Sequence, residues 1–491
     1  MTRARHIAAL GLVIASAACS SSSTTISGPP HPAALSVVRG AGQQDTVQST
    51  LPTALTVSVT GSNIGQPTVQ FIAVLLDTTI TGSDSAEAYV LGDTATAQPQ
   101  VFYADTINHS GQATTFVTLG TRAGRVRIIV RVPELGLVDT VAFTAQAGAA
   151  AHVVVAPIDT TVYVASHSVM RATVTDRLGN PRTDPVTLTS SAPPVAAVSG
   201  TTLSAQAYGV ASIIGTSGTL TDTARVTVVP IGVLAGIYGT RGVYVVNLDG
   251  SRLRQLAPWP AETPHWAPSG AVIAFDPYVG GYNGSLIQTV DTLGNVQQLG
   301  VDPGEEPTEM GPQYSRDGQW VYFTEYSPDG GQGVIYKVST AGGATPQTAL
   351  AVSHPPNNEV EASPSPDGTQ YVCRISSGPS SLAIVTIAMV TVTTLPVDGM
   401  WPVWSPTSNM IAFVGTTTGQ VGLIASDGTG LRMVGAANTS YNSVDWSPDG
   451  QWLVAANATT TRLDLINASS GLVLPLDYST GFTFPTWRPV N

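Results

Sequence analysis

Short runs in which apolar and polar residues alternate dominate the chain from about residue 34 onward. In LTVSVT, Leu55, Val57 and Val59 fall on one face and Thr56 and Ser58 on the other, the period of a half-buried strand. Further on, WLVAA, VIAF and MIAF are apolar at every position, as strands covered on both faces should be. No long stretch places apolar residues at helical spacing, so the pattern predicts an all-β protein.

From about residue 231 the strands repeat. PHWAPSGAVIAF, PQYSRDGQWVYF, ASPSPDGTQYVC, PVWSPTSNMIAF, VDWSPDGQWLVA and PTWRPVN align on Trp266, Tyr314, Pro364, Trp404, Trp446 and Trp487. Spacings of 48, 50, 40, 42 and 41 residues are those of propeller blades with four short strands each. A second register runs in phase, with an outer strand and a Gly- or Asn-rich turn, as in VYVVNLDGSRLRQL and VGLIASDGTGLRMV. The third repeat, SLAIVTIAMVTVTTLPV, lacks the Gly turn. Residues 232–256 supply outer strands without an inner one, and FTFPTWRPVN supplies an inner strand with nothing after it. Together they complete a sixth blade and leave no open edge. These residues resemble the six-bladed propeller of the TolB family over about residues 232–491.

Two smaller units precede the repeat. Residues 34–148 resemble the Ig-like domains of invasin- and intimin-type proteins through the opening GQQDTV, the GQA strand, the LGTRAG turn and the closing VAFTAQAG. Residues 66–105 fit that pattern poorly. Residues 149–230 resemble the second group of bacterial Ig-like domains through the DRLGN turn, SSAPPVAAV and GVAS. The expected fold is thus two Ig-like β-sandwiches and then a six-bladed propeller at 231–491, closed by strands from both ends of the repeat. Such sandwich modules imply spacers or stalks.

The N-terminus adds an address. Arg3 and Arg5 precede an apolar run, Ile7–Ala15, too short to span a bilayer. Ser16-Ala17-Ala18 then precede Cys19 and a Ser/Thr tract. This resembles a lipoprotein signal, with residues 1–18 as signal peptide, Cys19 as lipid anchor and 19–33 as linker. Ser16 departs from the aliphatic residue usual there, and an ordinary secretory signal cut after Ala17 is the alternative. The implied location is the outer membrane, facing periplasm or cell surface, or else soluble export. With Cys19 lipidated, Cys373 has no partner and reads as a small buried hydrophobe in QYVCRI.

Composition narrows the chemistry. Net charge is −12, and no Lys/Arg cluster offers a phosphate-binding face, so nucleic acid is not expected. No G-x-S-x-G, H-E-x-x-H or EF-hand string is present, and the residues point to no cofactor, metal or catalytic group. The propellers of prolyl oligopeptidases are similar, but the hydrolase domain of those enzymes has no counterpart in this sequence. The repeated anchors Trp266, Tyr314, Trp404, Trp446 and Trp487, with the Pro- or Gly-bearing turns that follow them, read as frame.

Candidate binding residues sit where the repeats differ. Glu305, Glu306 and Glu309 in one loop, with His354, Glu359 and Glu361 in the next, are expected near one mouth of the central channel, as an acidic ligand patch or as solvated loop charge. His265 and Asp445 hold equivalent places just before their anchors, matched by Gln313, Ser363, Val403 and Thr486, which form no metal ring. The expectation is a non-enzymatic envelope lipoprotein whose propeller binds protein or peptide. Alternatives are an adhesin or glycan-binding protein, using Tyr278, Tyr282 and Trp401, and a polysaccharide-active propeller enzyme.

Overall fold

The computed structural model describes residues 30–74, 87–239, 242–258, 260–277, 286–300, 308–326, 332–341, 350–352, 358–377, 380–388 and 391–489. Cys19, Tyr278, Tyr282, Glu305, Glu306 and His354 lie outside them. Among the described residues all regular structure is strand, apart from the 3-10 turns Pro133–Leu135 and Asp477–Ser479, and no helix is long and apolar enough to cross a membrane. Two compact units are present. One runs to Ala150 and includes Thr175–Arg182; the other holds Ala151–Val174 and the described chain from Thr183.

In the first unit, Ala34–Arg39, Leu55–Thr60, Gln112–Leu119 and Ala88–Gly92 form one sheet in that order. Gln44–Thr46, Leu137–Gln146, Gly124–Val132, Thr68–Ala73 and Phe102–Thr106 form another. Both sheets feed a single core, in which Val57 and Val117 meet Val130 and Phe143. Leu55, Val57 and Val59 are buried as their alternation requires. Thr56 on the other face is buried too, its hydroxyl accepting Arg39 Nε–H at 3.0 Å.

The second unit begins with a small β module. Asp159–Tyr163 runs parallel to Leu220–Val229, which continues antiparallel to Gly209–Ser217 and then Thr187–Ser190. Val155, Leu203, Ile213 and Val226 fill its core. The module is seated on the sheets formed by the rest of the unit. Tyr208 meets Trp452 edge to face at 5.1 Å, Arg225 pairs with Asp477 at 2.9 Å, and Val229 enters a core shared with Trp487.

Those sheets number six, each four-stranded and antiparallel. Their innermost strands are Ala261–Trp266, Thr308–Tyr314, Glu359–Pro364, Met400–Trp404, Tyr441–Trp446 and Thr483–Trp487. Each touches the next, and the last touches the first. That ring is a β-propeller arrangement, with each sheet a blade. Thr483–Trp487 pairs with Val233–Tyr238, so one sheet is built from both ends of the repeat. In the third blade, Ser381–Thr386 pairs with Thr391–Thr394, so the outer hairpin forms without the Gly turn.

The repeat residues hold the blades together. Trp446 packs among Val403, Ala412 and Leu423 of the preceding blade and Leu453 and Ile466 of its own, and its Nε1–H donates to Val403 O at 3.1 Å. Tyr314, Trp404 and Trp487 likewise lie in cores drawn from two neighbouring blades, as does Trp266. In the turn after Trp446, Ser447 Oγ–H donates to Asp449 Oδ1, which also accepts Gln451 N–H, while Gly450 takes φ +67°. Ser315-Asp317 and Ser365-Asp367 repeat these bonds. Cys373 is buried in its blade, and burial raises its thiol pKa well above the ordinary range.

Candidate functional site

Every innermost strand breaks register with its neighbour about three residues before the anchor. At the third position before each anchor stand Thr263, Gly311, Glu361, Trp401, Ser443 and Phe484, of which Ser443 alone keeps a ladder partner, Ala456. Thr263, Gly311, Glu361, Trp401 and Phe484 have left-handed φ of 36°, 67°, 59°, 50° and 47°. Only one is a glycine. A side chain in this region is strained and has to be held by its surroundings, so such bulges re-aim side chains, here toward the channel. All six line a cavity of about 50 Å³ at one end of the channel, which we term the bulge mouth. A second cavity, of about 100 Å³, lies at the turn mouth among Pro268, Arg316, Pro366, Pro406, Pro448 and Pro489.

The second strands brace these bulges. Asp276 accepts the Thr263 hydroxyl of its own blade and Gly311 N–H of the next. Thr324, ten residues past its anchor as Asp276 is, accepts Glu361 N–H at 3.0 Å. Arg374, at the same place in the third blade, cannot accept. Instead Glu361 pairs with Arg374 at 2.5 Å and uses its other oxygen to accept Trp401 N–H at 2.7 Å. Trp401 then meets Phe484 edge to face at 5.4 Å, across the fifth blade, whose residue at that position is the small Ser443. A Cβ added to Gly311 would stand 3.9 Å from the Trp401 ring, so the indole reaches across the mouth toward the second blade.

Deeper in the channel, the residues just before the anchors stitch neighbouring blades. His265 Nδ1 accepts Tyr314 N–H at 3.2 Å, and Ser363 Oγ accepts Trp404 N–H at 3.0 Å. Gln313 has no such task, because the next anchor is Pro364. The Val403 side chain cannot accept, which leaves Trp446 N–H to Asp445 Oδ1 at 2.8 Å, while Asp445 Oδ2 takes Trp487 N–H at 2.9 Å. One carboxylate thus serves two blades. Burial pushes Asp445 up to about 6, against the opposing pull of these N–H groups. Burial likewise pushes Asp276 up to about 7 and holds His265 down at about 4, so the imidazole is neutral at pH 7.

The acidic residues expected around one mouth divide. Glu309 and Glu359 are not loop charges but members of innermost strands. Both are buried; Glu309 accepts Ile287 N–H at 2.6 Å, and Glu359 accepts the Tyr371 hydroxyl at 2.6 Å. Of the described acidic residues in that patch, only Glu361 lines the mouth, beside His265 and Asp445. The sequence motifs did not point to Thr263, Asp276, Thr324, Arg374, Ser443 or Phe484. Counting −3 and +10 from each anchor would have found them. No group of three or more His, Cys, Asp or Glu side chains placed to hold a metal ion occurs among the described residues.

No protein-family model and no curated protein matches this chain. Among solved structures it is similar to TolB from Acinetobacter baumannii, at 17% identity over 58% of this chain and 81% of that one, with a TM-score of 0.45. A putative TolB from Agrobacterium tumefaciens matches at 18% identity over 53% and 99% of the two chains, with a TM-score of 0.40. A chain of a nidogen/laminin complex matches at 8% identity over 52% and 98%, with a TM-score of 0.43. These are partial likenesses, and the sheet order and ring of contacts carry the fold assignment independently.

Proposed function

We propose that this chain is a binding protein of the cell envelope: a six-bladed propeller whose bulge mouth takes a protein segment or peptide, carried behind two Ig-like modules. The supporting observation is the ring at the bulge mouth. Anchors and turns are nearly the same from blade to blade, whereas Thr263, Gly311, Glu361, Trp401, Ser443 and Phe484 all differ, and they share one cavity. A frame held constant with a varied rim is how a scaffold presents a specific surface. The mouth's ionisable groups are occupied in positioning backbone and neighbours: Glu361 holds Arg374 and Trp401 N–H, and Asp445 holds two N–H groups. This supports binding over catalysis.

A peptide library selected on the full chain tests the reading. Selected peptides should lose binding to Trp401→Ala and to Phe484→Ala and keep it to Arg316→Ala at the turn mouth. Selection of nothing, or of peptides indifferent to Trp401, would sink it. Because the aromatic pair also suits stacking on sugar rings, a glycan array belongs beside the peptide selection. Attachment through Cys19 is the envelope half of the proposal, resting on the N-terminal sequence. Cys19→Ala should move the protein from the membrane fraction to the soluble one, and continued membrane association would rule the lipid anchor out.

A further inference from the structure

The fifth and closing blades contribute an unusual pair of groups to the bulge mouth. Ser443, only 5% exposed, lines the cavity, and its hydroxyl has no hydrogen-bond partner among the described residues. Thr486 of the closing blade is 2% exposed and lines the same cavity. Its hydroxyl lies near enough to Asp445 to favour the ionised carboxylate, yet it completes no hydrogen bond of normal geometry. Buried hydroxyls left unpaired cost free energy, and a native structure keeps them where something else completes them. Between these two in the same wall lies Asp445, whose two oxygens each accept one N–H and retain further acceptor capacity. The rings of Trp401 and Phe484, in edge-to-face contact, line the same cavity.

We infer that this corner of the bulge mouth is built to receive a primary ammonium group, with the Ser443 and Thr486 hydroxyls and the Asp445 carboxylate as its acceptors and the Trp401–Phe484 pair as its collar. An ammonium carries three donors and no acceptor, which matches three acceptors and no competing cation. The other charges at the mouth leave this assignment intact. Arg374 is paired with Glu361, and Asp276 is engaged by Thr263 and Gly311. His265 is neutral at pH 7. Aromatic faces attract a cation further, most strongly where water is excluded. The cavity of about 50 Å³ exceeds the roughly 10–15 Å³ that a group of water's size requires, so it admits such a head group.

The inference rests on the mouth being a peptide-binding surface, and it names the group such a peptide would insert: a lysine side chain or a free N-terminus. The full chain would be titrated with Nα-acetyl-lysine amide, with alaninamide and with Nα,Nε-diacetyl-lysine amide, following tryptophan fluorescence and heat. At least one of the first two should bind and the uncharged third should not; which of the two binds tells side chain from terminus. Asp445→Asn should weaken binding on the order of 30-fold, as removal of one partner of a buried charge pair does. Ser443→Ala removes no existing bond, so the protein should melt as before while affinity falls about tenfold. Equal binding of the diacetylated probe, or unchanged affinity in a folded Ser443→Ala and Asp445→Asn, overturns the inference. The two readings fail separately. Peptides that need Trp401 but ignore Asp445 leave the mouth standing without its ammonium pocket. A lysine probe that needs Asp445, in a protein that selects no Trp401-dependent peptide, does the reverse.

Discussion

Asp445 and Trp487 stand 42 residues apart in the chain, yet the carboxylate of one accepts the backbone N–H of the other at 2.9 Å. The other oxygen of Asp445 holds Trp446 N–H because the side chain of Val403, in the preceding blade, supplies no acceptor. Asp445→Ala should therefore strand two buried N–H groups and destabilise the protein by about 2–4 kcal/mol in denaturant titrations. Adding Val403→Ser, which restores the arrangement Ser363 makes with Trp404, should recover part of that loss. A loss below about 0.5 kcal/mol for the single variant would contradict the stitching role.

The raised carboxyls give the protein a distinctive pH profile. Folded Asp276 titrates near 7 and Asp445 near 6, whereas an unfolded Asp titrates near 3.9. Between these values the folded state binds more protons than the unfolded one, so both groups make stability fall as pH rises from about 4 to about 7. Asp176, Asp317, Asp367 and Asp398, lowered by hydrogen bonds that outweigh burial, act the opposite way, but only as pH drops below about 4. Melting temperatures of wild type and Asp276→Asn should diverge as pH is lowered from about 8 to about 5, with the wild type gaining more. Parallel curves would show that Asp276 is ionised normally.

Tyr208 and Trp452 join the second module to the propeller through an edge-to-face contact. Tyr208→Ala should cost about 1 kcal/mol beyond its lost area. Arg225→Ala should cost less than about 1 kcal/mol, since both members of the Arg225–Asp477 pair are about a third exposed. Calorimetry should show the module and propeller unfolding in a common transition that Tyr208→Ala lowers. Independent transitions in the wild type would mean that the contact carries no coupling.

Truncation after Gly481 deletes Thr483–Trp487, the partner of Val233–Tyr238. It removes Trp487 from a core shared with Trp452 and Leu234 and bares two strand edges. Loss of cooperative melting, with aggregation on size-exclusion chromatography, is the expected result. A sharp melt at the full-length temperature would mean that the ring does not depend on this strand.

The frame was legible in sequence because it repeats: Trp and Tyr anchors and Pro- or Gly-bearing turns recur in phase, the first five leading into an apolar strand. The bulges were not, because left-handed φ at Thr263, Glu361, Trp401 and Phe484 is imposed by neighbours and carries no glycine marker; Gly311 alone advertises it. Glu309 and Glu359 looked like loop charge because Pro and Gly surround them, and their burial depends on partners, Ile287 N–H and Tyr371, distant in sequence. Asp445 did stand out as the letter its sibling repeats lack. Its reason, the valine at 403, emerges only when blades are set side by side.

The six bulge positions also bear on how such a protein changes over time. Five of them sit where the ladder is broken and Ser443 beside such a break, while the frame beneath draws its strength from the anchors and turns. Replacing one of them alters the rim without repacking a blade. The rim can therefore change by exchange at these letters, singly at Ser443 and jointly along the linked series Glu361, Trp401 and Phe484, while the anchors and turns stay untouched.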